Sequence, residues 1–205
     1  VRACAYYNVE CVGIYRGYQG MIEGDFKEMG PRDVKNIINK GATILKSARS
    51  ADFRTAEGRK RAYENLVAAG IDSFVVIGGD GSFTGAEIFN EEYGFPVIGI
   101  PGTIDNDIYG TSHTLGYDTA LNTVIDAIDK IRDTANSHNR LFFVEVMGRD
   151  AGHIALNAGI GAGAEEILIP EEDFGLDRLV ESLKRSKGSG KTSSIVVVSE
   201  GDKIG

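Results

Sequence analysis

Apolar residues in this chain gather in short consecutive runs, and between the runs they recur at intervals of three and four. The runs predict strands at 10–15, 72–77, 96–100, 141–146, 166–169 and 195–198. Several are apolar on successive positions rather than alternate ones, the pattern of a strand covered on both faces. The stretches between them predict helices. Residues 31–40 open on Pro31, which suits a first turn, and stop at Gly41. Residues 56–69 follow Thr55 as a cap and end at Gly70. In 118–137, Leu121, Val124, Ile125, Ile128 and Ile131 form one apolar stripe; Leu176, Leu179, Val180 and Leu183 do the same in 175–187. Strand and helix in alternation predict an α/β protein with two Rossmann-like lobes, their mostly parallel sheets covered by helices on both faces. The expected boundary lies near Gly116, giving lobes over 1–116 and 117–205.

Composition narrows the function without changing the fold. The 205 residues are 42% hydrophobic and 25% charged, ordinary values for a globular chain with a substantial core. A net charge of -8 offers no basic field for nucleic acid or an acidic membrane. A small phosphorylated substrate, needing only a locally positive pocket, stays compatible. No apolar run approaches the roughly 18 residues of a membrane helix, and no signal peptide opens the chain. Two cysteines, Cys4 and Cys11, make no disulfide framework, so a reducing, cytoplasmic setting is expected. The opening VRACAYYNVECVGIY reads as the tail of a helix running into a strand, and VVVSEGDKIG stops just past another. A piece trimmed at both ends is the expectation.

Ligands of open parallel sheets bind beyond the carboxyl ends of strands, and two such ends carry chemistry here. FVVIGGDGSFTG, residues 74–85, runs from a strand through Gly78, Gly79, Asp80, Gly81 and Ser82 into a helix start. Glycines allow close backbone approach and a helix amino end favours an anion, but the spacing is neither a Walker loop nor a dinucleotide fingerprint. VIGIPGTIDNDIYGT, residues 97–111, carries Asp105 and Asp107; if 103–107 runs extended, both point to one side. With Asp80 they supply three carboxylates, which suit magnesium alongside phosphate oxygens, or a base that accepts a hydroxyl proton. An Asx-rich turn explains the same residues. Phosphoryl transfer also needs cations, for which Arg49, Arg54, Arg140 and Arg149 are the candidates. The histidines, His113, His138 and His153, have no metal-ligand spacing.

VVIGGDGS, IPGTIDNDI, DTANSHNR and VEVMGR stand in the order found in the 6-phosphofructokinases, and GIYRGYQG, GATILKSAR and VVVSEG extend the match over nearly the whole chain. The chain resembles that family in its ATP-dependent, bacterial form, without the first strand and the later segment. The resemblance implies transfer of the γ-phosphoryl group of ATP to the 1-hydroxyl of fructose 6-phosphate, with magnesium. It makes 1–116 the larger, nucleotide-binding lobe and 117–205 the smaller, sugar-phosphate lobe, both incomplete. Asp105 is similar to the family's base, and Asp80 and Asp107 to its magnesium-linked carboxylates. Arg49, Arg149 and Gly81 resemble residues that serve the transferring group. Arg49, Arg54, Gly79, Asp80, Gly81, Ser82 and Gly85 match nucleotide contacts. Thr103, Ile104, Asp105, Arg140, Met147, Gly148, Arg149 and Glu200 match the sugar-phosphate side. Arg140 resembles an arginine that reaches a neighbouring subunit, which implies a homo-oligomer, typically a tetramer.

Pyrophosphate-using relatives have aspartate in place of Gly81 and lysine in place of Gly102. A carboxylate at 81 would repel the α-phosphate of ATP, so the two glycines imply ATP as donor. Arg2, Arg132, Gly163, Glu165 and Lys191 fall where bacterial relatives bind ADP or phosphoenolpyruvate, but Pro31 and Ser189 replace two of their cations. The alternatives are a pyrophosphate-dependent enzyme and a noncatalytic nucleotide-sensing subunit of the same fold. The isolated 205 residues are expected to be weakly active or inactive.

Overall fold

The structure, a computed structural model, describes residues 1–172 and 175–203. The chain divides into two compact units: residues 1–77 with 81–100, and residues 78–80 with 101–205. Gly116, the expected boundary, lies inside the second unit.

The first unit opens with α1 (Arg2–Tyr6), β1 (Val12–Ile14), α2 (Tyr18–Glu23) and β2 (Phe26–Glu28). β1 and β2 pair antiparallel, Val12 opposite Glu28 and Ile14 opposite Phe26, an exception to the parallel rule. A 3-10 turn at Asp52–Arg54 leads to α3 (Ala56–Ala68), followed by β3 (Phe74–Gly78), α4 (Asp80–Tyr93) and β4 (Val97–Pro101). α3 begins where the sequence says it should: the Thr55 hydroxyl accepts from the Gly58 N–H at 3.0 Å. It ends where Gly70 turns left-handed, φ +69°, with Ile71 N–H returning to Leu66 O and Gly70 N–H to Val67 O. Its apolar side, Ala62 and Leu66, closes on Met21, Ile22, Phe53, Phe89 and Phe95.

Residues 31–40 form turns, not the expected helix. The Asp33 carboxylate accepts from Gly30 N–H and pairs with Lys27, which closes a local turn, and Asn36 sits left-handed at φ +58°. A helix here would bury nothing: Ile38 is fully in solvent, and a short helix without a buried face does not hold. β3 and β4 pair with each other. One face of that pair is open, with Val75, Ile77 and Ile98 exposed to 59%, 65% and 66%, so among the described residues no helix covers that face.

In the second unit, α5 (Tyr117–His138), β5 (Leu141–Val146), α6 (His153–Gly161), β6 (Glu166–Leu168), α7 (Leu176–Gly188) and β7 (Ser194–Ser199) follow in order. The sheet order is β5-β7-β6 and both pairings are parallel. β7 is therefore the central strand, which explains its unbroken apolar run. Ile195 and Val197 face the cluster of Tyr117, Ile128, Ile154, Ala155 and Ala158. Val196 and Val198 face Leu168 and Leu179. Burying these four side chains contributes on the order of 6–12 kcal/mol as an upper bound. β5 has one face to solvent, at Leu141 and Phe143. Among the described residues no helix is long and apolar enough to cross a membrane.

Candidate active site

Parallel pairing sets Val146 beside Ser199, so the chain leaving β5 and the chain leaving β7 emerge together. Glu200 N–H continues the ladder to Val146 O at 3.0 Å. Its carboxylate then turns onto the neighbouring loop: one oxygen, Oε1, accepts from Gly148 N–H at 3.1 Å and from Arg149 N–H at 2.6 Å. The loop needs this hold. Gly148 has φ +150°, and a Cβ there would come within 2.5 Å of Ala151 O. Arg149 is left-handed at φ +56°, a conformation that non-glycine residues adopt mostly where the surroundings impose it. At the far end of the loop Gly152 N–H donates to Glu171 at 2.8 Å, just before α6 begins. The Arg149 side chain, well exposed, lies 3.6 Å from Asp150, a weak surface pair.

The second strand end, after β4, carries the aspartates. Asp105 N–H donates to the Thr103 hydroxyl at 3.2 Å, and Gly79 lies against the Thr103 side chain. Residues 103–107 are not extended: Asn106 is left-handed at φ +56°, so simple alternation does not orient Asp105 and Asp107. They nonetheless feel each other. Burial raises the Asp105 pKa above the usual aspartate value; Asp107 and Glu200 add to the rise, while Thr103 and Arg149 oppose it. Thr103, Asp105, Asp107, Arg149 and Glu200 thus form one electrostatic neighbourhood in the second unit. Among the described residues no three His, Cys, Asp or Glu side chains form a metal cage.

Other expected residues of this unit are placed differently. Ile104 packs its side chain against the core that contains Tyr117 and Ile128. Met147 is exposed, and Arg140 stands in solvent where its carbonyl accepts from Ser194 N–H at the start of the sheet. Arg132 donates to the carbonyls of Ala162 and Gly163, and Glu165 accepts from Lys191 at 3.1 Å and from Ile195 N–H at 2.6 Å. The expected effector cations of this unit therefore already have partners within the chain. Asp80 is the first residue of α4, so the helix starts ahead of Gly81 and Ser82, which the sequence placed before it.

In the first unit Gly81 and Gly85 lie in the opening turns of α4, while Gly78 ends β3 and Gly79 precedes the helix. A residue that the sequence did not mark holds them. Tyr18 donates its hydroxyl to Ser82 O, and its ring stacks on Phe53 at 3.9 Å and 7°. Gly85 faces both rings, and burial pushes the Tyr18 hydroxyl pKa far up. Arg54, adjacent to Phe53, and Arg49 are exposed. A Cβ on Gly81 would meet open space. Only the distance from Tyr18 to Ser82, 64 positions, kept this brace out of a local reading.

Residues 1–204 match the phosphofructokinase family over almost the entire chain. The chain belongs to that family. It is 57% identical over 204 residues to the ATP-dependent 6-phosphofructokinase 2 of Bacteroides thetaiotaomicron, covering 100% of this chain and 63% of that protein. It is equally identical, over 201 residues, to the ATP-dependent 6-phosphofructokinase 1 of Thermus thermophilus, covering 98% of this chain and 62% of that protein. The phosphofructokinase of Saccharomyces cerevisiae has the same fold, with a TM-score of 0.92 at 37% identity over 98% of this chain and 31% of that one. This phosphofructokinase-family chain thus spans 63% or less of the length of these relatives.

Proposed function

We propose that the protein phosphorylates the 1-hydroxyl of fructose 6-phosphate with ATP, giving fructose 1,6-bisphosphate and ADP. The observation that carries this reading is Asp105: a carboxyl group with its pKa raised by burial, beside Arg149 and Glu200 on a left-handed, carboxylate-braced loop. A base must be deprotonated yet willing to take a proton, and a pKa raised toward the working range serves that need. Asp105 accepts the proton of the 1-hydroxyl as its oxygen attacks the γ-phosphorus. Arg149 faces the charge that develops on the transferring group. Thr103, Met147, Gly148 and Glu200 meet the sugar, with the backbone of Ile104. Arg49, Arg54, Gly79, Gly81, Ser82 and Gly85 serve the nucleotide, and the open space at Gly81 supports ATP as donor.

Magnesium fits the residues present. Asp105, Asp107 and Glu200 leave surplus negative charge, and the described residues hold no preformed cage. Such a site suits a cation held by one or two carboxylates, Asp80 and Asp107, together with water and substrate phosphates. When bound, magnesium would offset the charge on the donor phosphates. A cytoplasmic homo-oligomer, with exposed Arg140 turned to a neighbouring subunit, completes the reading.

The test is an assay of the full-length protein with magnesium and fructose 6-phosphate, comparing ATP and pyrophosphate. Bisphosphate formation with ATP alone is expected. Turnover with pyrophosphate would overturn the donor assignment, and silence with both would leave a noncatalytic nucleotide sensor.

A further inference from the structure

Asp105 sits between two anchored residues, and the anchors meet in a third. Asn106, left-handed at φ +56°, ties its side chain to the chain that follows. Its Oδ1 accepts from Thr114 N–H at 2.8 Å, and its Nδ2 donates to Ser112 O at 3.3 Å. The Thr114 hydroxyl stands 2.7 Å from Thr103 O and 3.2 Å from Asn106 Oδ1. A hydroxyl has one proton to give, so the shorter contact to Thr103 O takes it. Thr114 is 4% exposed, and Leu115 N–H closes the loop onto Pro101 O at 2.9 Å. A buried threonine thus grips residue 103 with its hydroxyl and residue 106 with its amide, one on either side of the aspartate.

We propose that Asn106 and Thr114 are positioning residues that fix the backbone on both sides of Asp105 and so aim its carboxylate. The inference rests on the phosphoryl-transfer reading above. Neither side chain carries charge, and Thr114, a buried hydroxyl, is held away from solvent. Their contribution is to geometry, where an ångström of misplacement is worth about a hundredfold in rate.

The experiment compares Thr114→Val, Thr114→Ser and Asn106→Gly in the full-length protein. Valine keeps the shape and loses the hydroxyl; serine restores it; glycine tolerates the left-handed backbone without the amide side chain. Thr114→Val and Asn106→Gly are expected to lower kcat about tenfold to a hundredfold, with KM for fructose 6-phosphate and ATP within about twofold. Thr114→Ser should recover kcat to within about threefold of the parent. Retained kcat in Thr114→Val, or an equal loss in Thr114→Ser, would overturn the inference. A readout that does not depend on turnover accompanies it: amide hydrogen exchange at Asp105 should quicken in Thr114→Val while β5 and β7 stay protected. If the parent protein makes no bisphosphate, the functional reading fails by itself. Exchange at Asp105 then still decides the clamp: faster exchange in Thr114→Val supports it, and unchanged exchange overturns it.

Discussion

Replacing Glu200 by alanine would remove the carboxylate, and with its Oε1 two hydrogen bonds, those from the amides of Gly148 and Arg149. Hydrogen bonds to a charged acceptor are worth about 1.5–3 kcal/mol each when shielded. Glu200 is exposed, so both amides regain water and the net loss of stability falls to about 1–2 kcal/mol. For a chain of this size that is a drop in Tm of roughly 2–8 °C. The effect on catalysis should be larger. Arg149 holds a backbone conformation unfavourable for a non-glycine residue beside a freely rotating Gly148, and freeing the two releases about 2–4 kcal/mol of conformational entropy that must be recovered before Arg149 can act. At about 1.4 kcal/mol per decade, kcat should fall between about 30-fold and 1000-fold. Glutamine keeps a carbonyl acceptor where Oε1 stands and should lose much less. Steady-state kinetics and thermal melts on Glu200→Ala and Glu200→Gln in the full-length protein check this. If alanine keeps kcat within about threefold while Tm falls as expected, the brace stabilises the loop but does not set the arginine.

Further consequences follow for Asp105, the core and the open sheet face. Asp105→Asn should cut kcat by about 10²–10⁴. The same change should raise stability, because the folded state disfavours the ionised group. The sign is fixed by the direction of the shift: Asp105 weakens the fold as pH rises from its unfolded pKa through its higher folded one. In metal-free melts the gain from Asn should therefore appear at pH 7 and vanish at low pH; a gain independent of pH would refute it. Leu66→Ala, at a fully buried position among Met21, Phe53 and Phe89, should cost about 2–5 kcal/mol by denaturant unfolding. A cost under about 1 kcal/mol would mean that this core collapses around the gap. The 205-residue chain should self-associate through the face of Val75, Ile77 and Ile98, and Ile77→Lys should reduce the association seen by light scattering. Unchanged association would place the contact elsewhere.

What could be read from the sequence depended on how local its cause was. Thr55 and Gly70 bound α3 because capping and left-handed exit are decided within a few residues. β7 was legible because a central strand buries both faces and so needs Ile195 to Val198 in succession. Residues 31–40 misled because Pro31 and Gly41 are helix punctuation, whereas the outcome rested on whether Ile38 had anything to bury against. The aspartates and arginine of the site were recognisable as types. Their arrangement was not, since it depends on Asn106 leaving the extended region and on Glu200 reaching back 51 positions to Arg149. Tyr18 on Ser82 belongs to the same class of long-range causes.

The central place of β7 also dictates an order of assembly. Among the described residues β5 and β6 do not pair with each other; each pairs with β7, a strand that follows both of them in sequence. During synthesis the ribosome therefore delivers α5, β5, α6, β6 and α7 before β7, the strand that joins them among the described residues. Until Ser194–Ser199 emerges, Ile128, Ile154, Leu168 and Leu179 lack the strand they close on. Such late, non-local pairing slows folding and lengthens exposure to aggregation. A nascent chain stalled with residue 190 at the tunnel exit should have a protease-sensitive second half, which becomes resistant once residue 200 has cleared it.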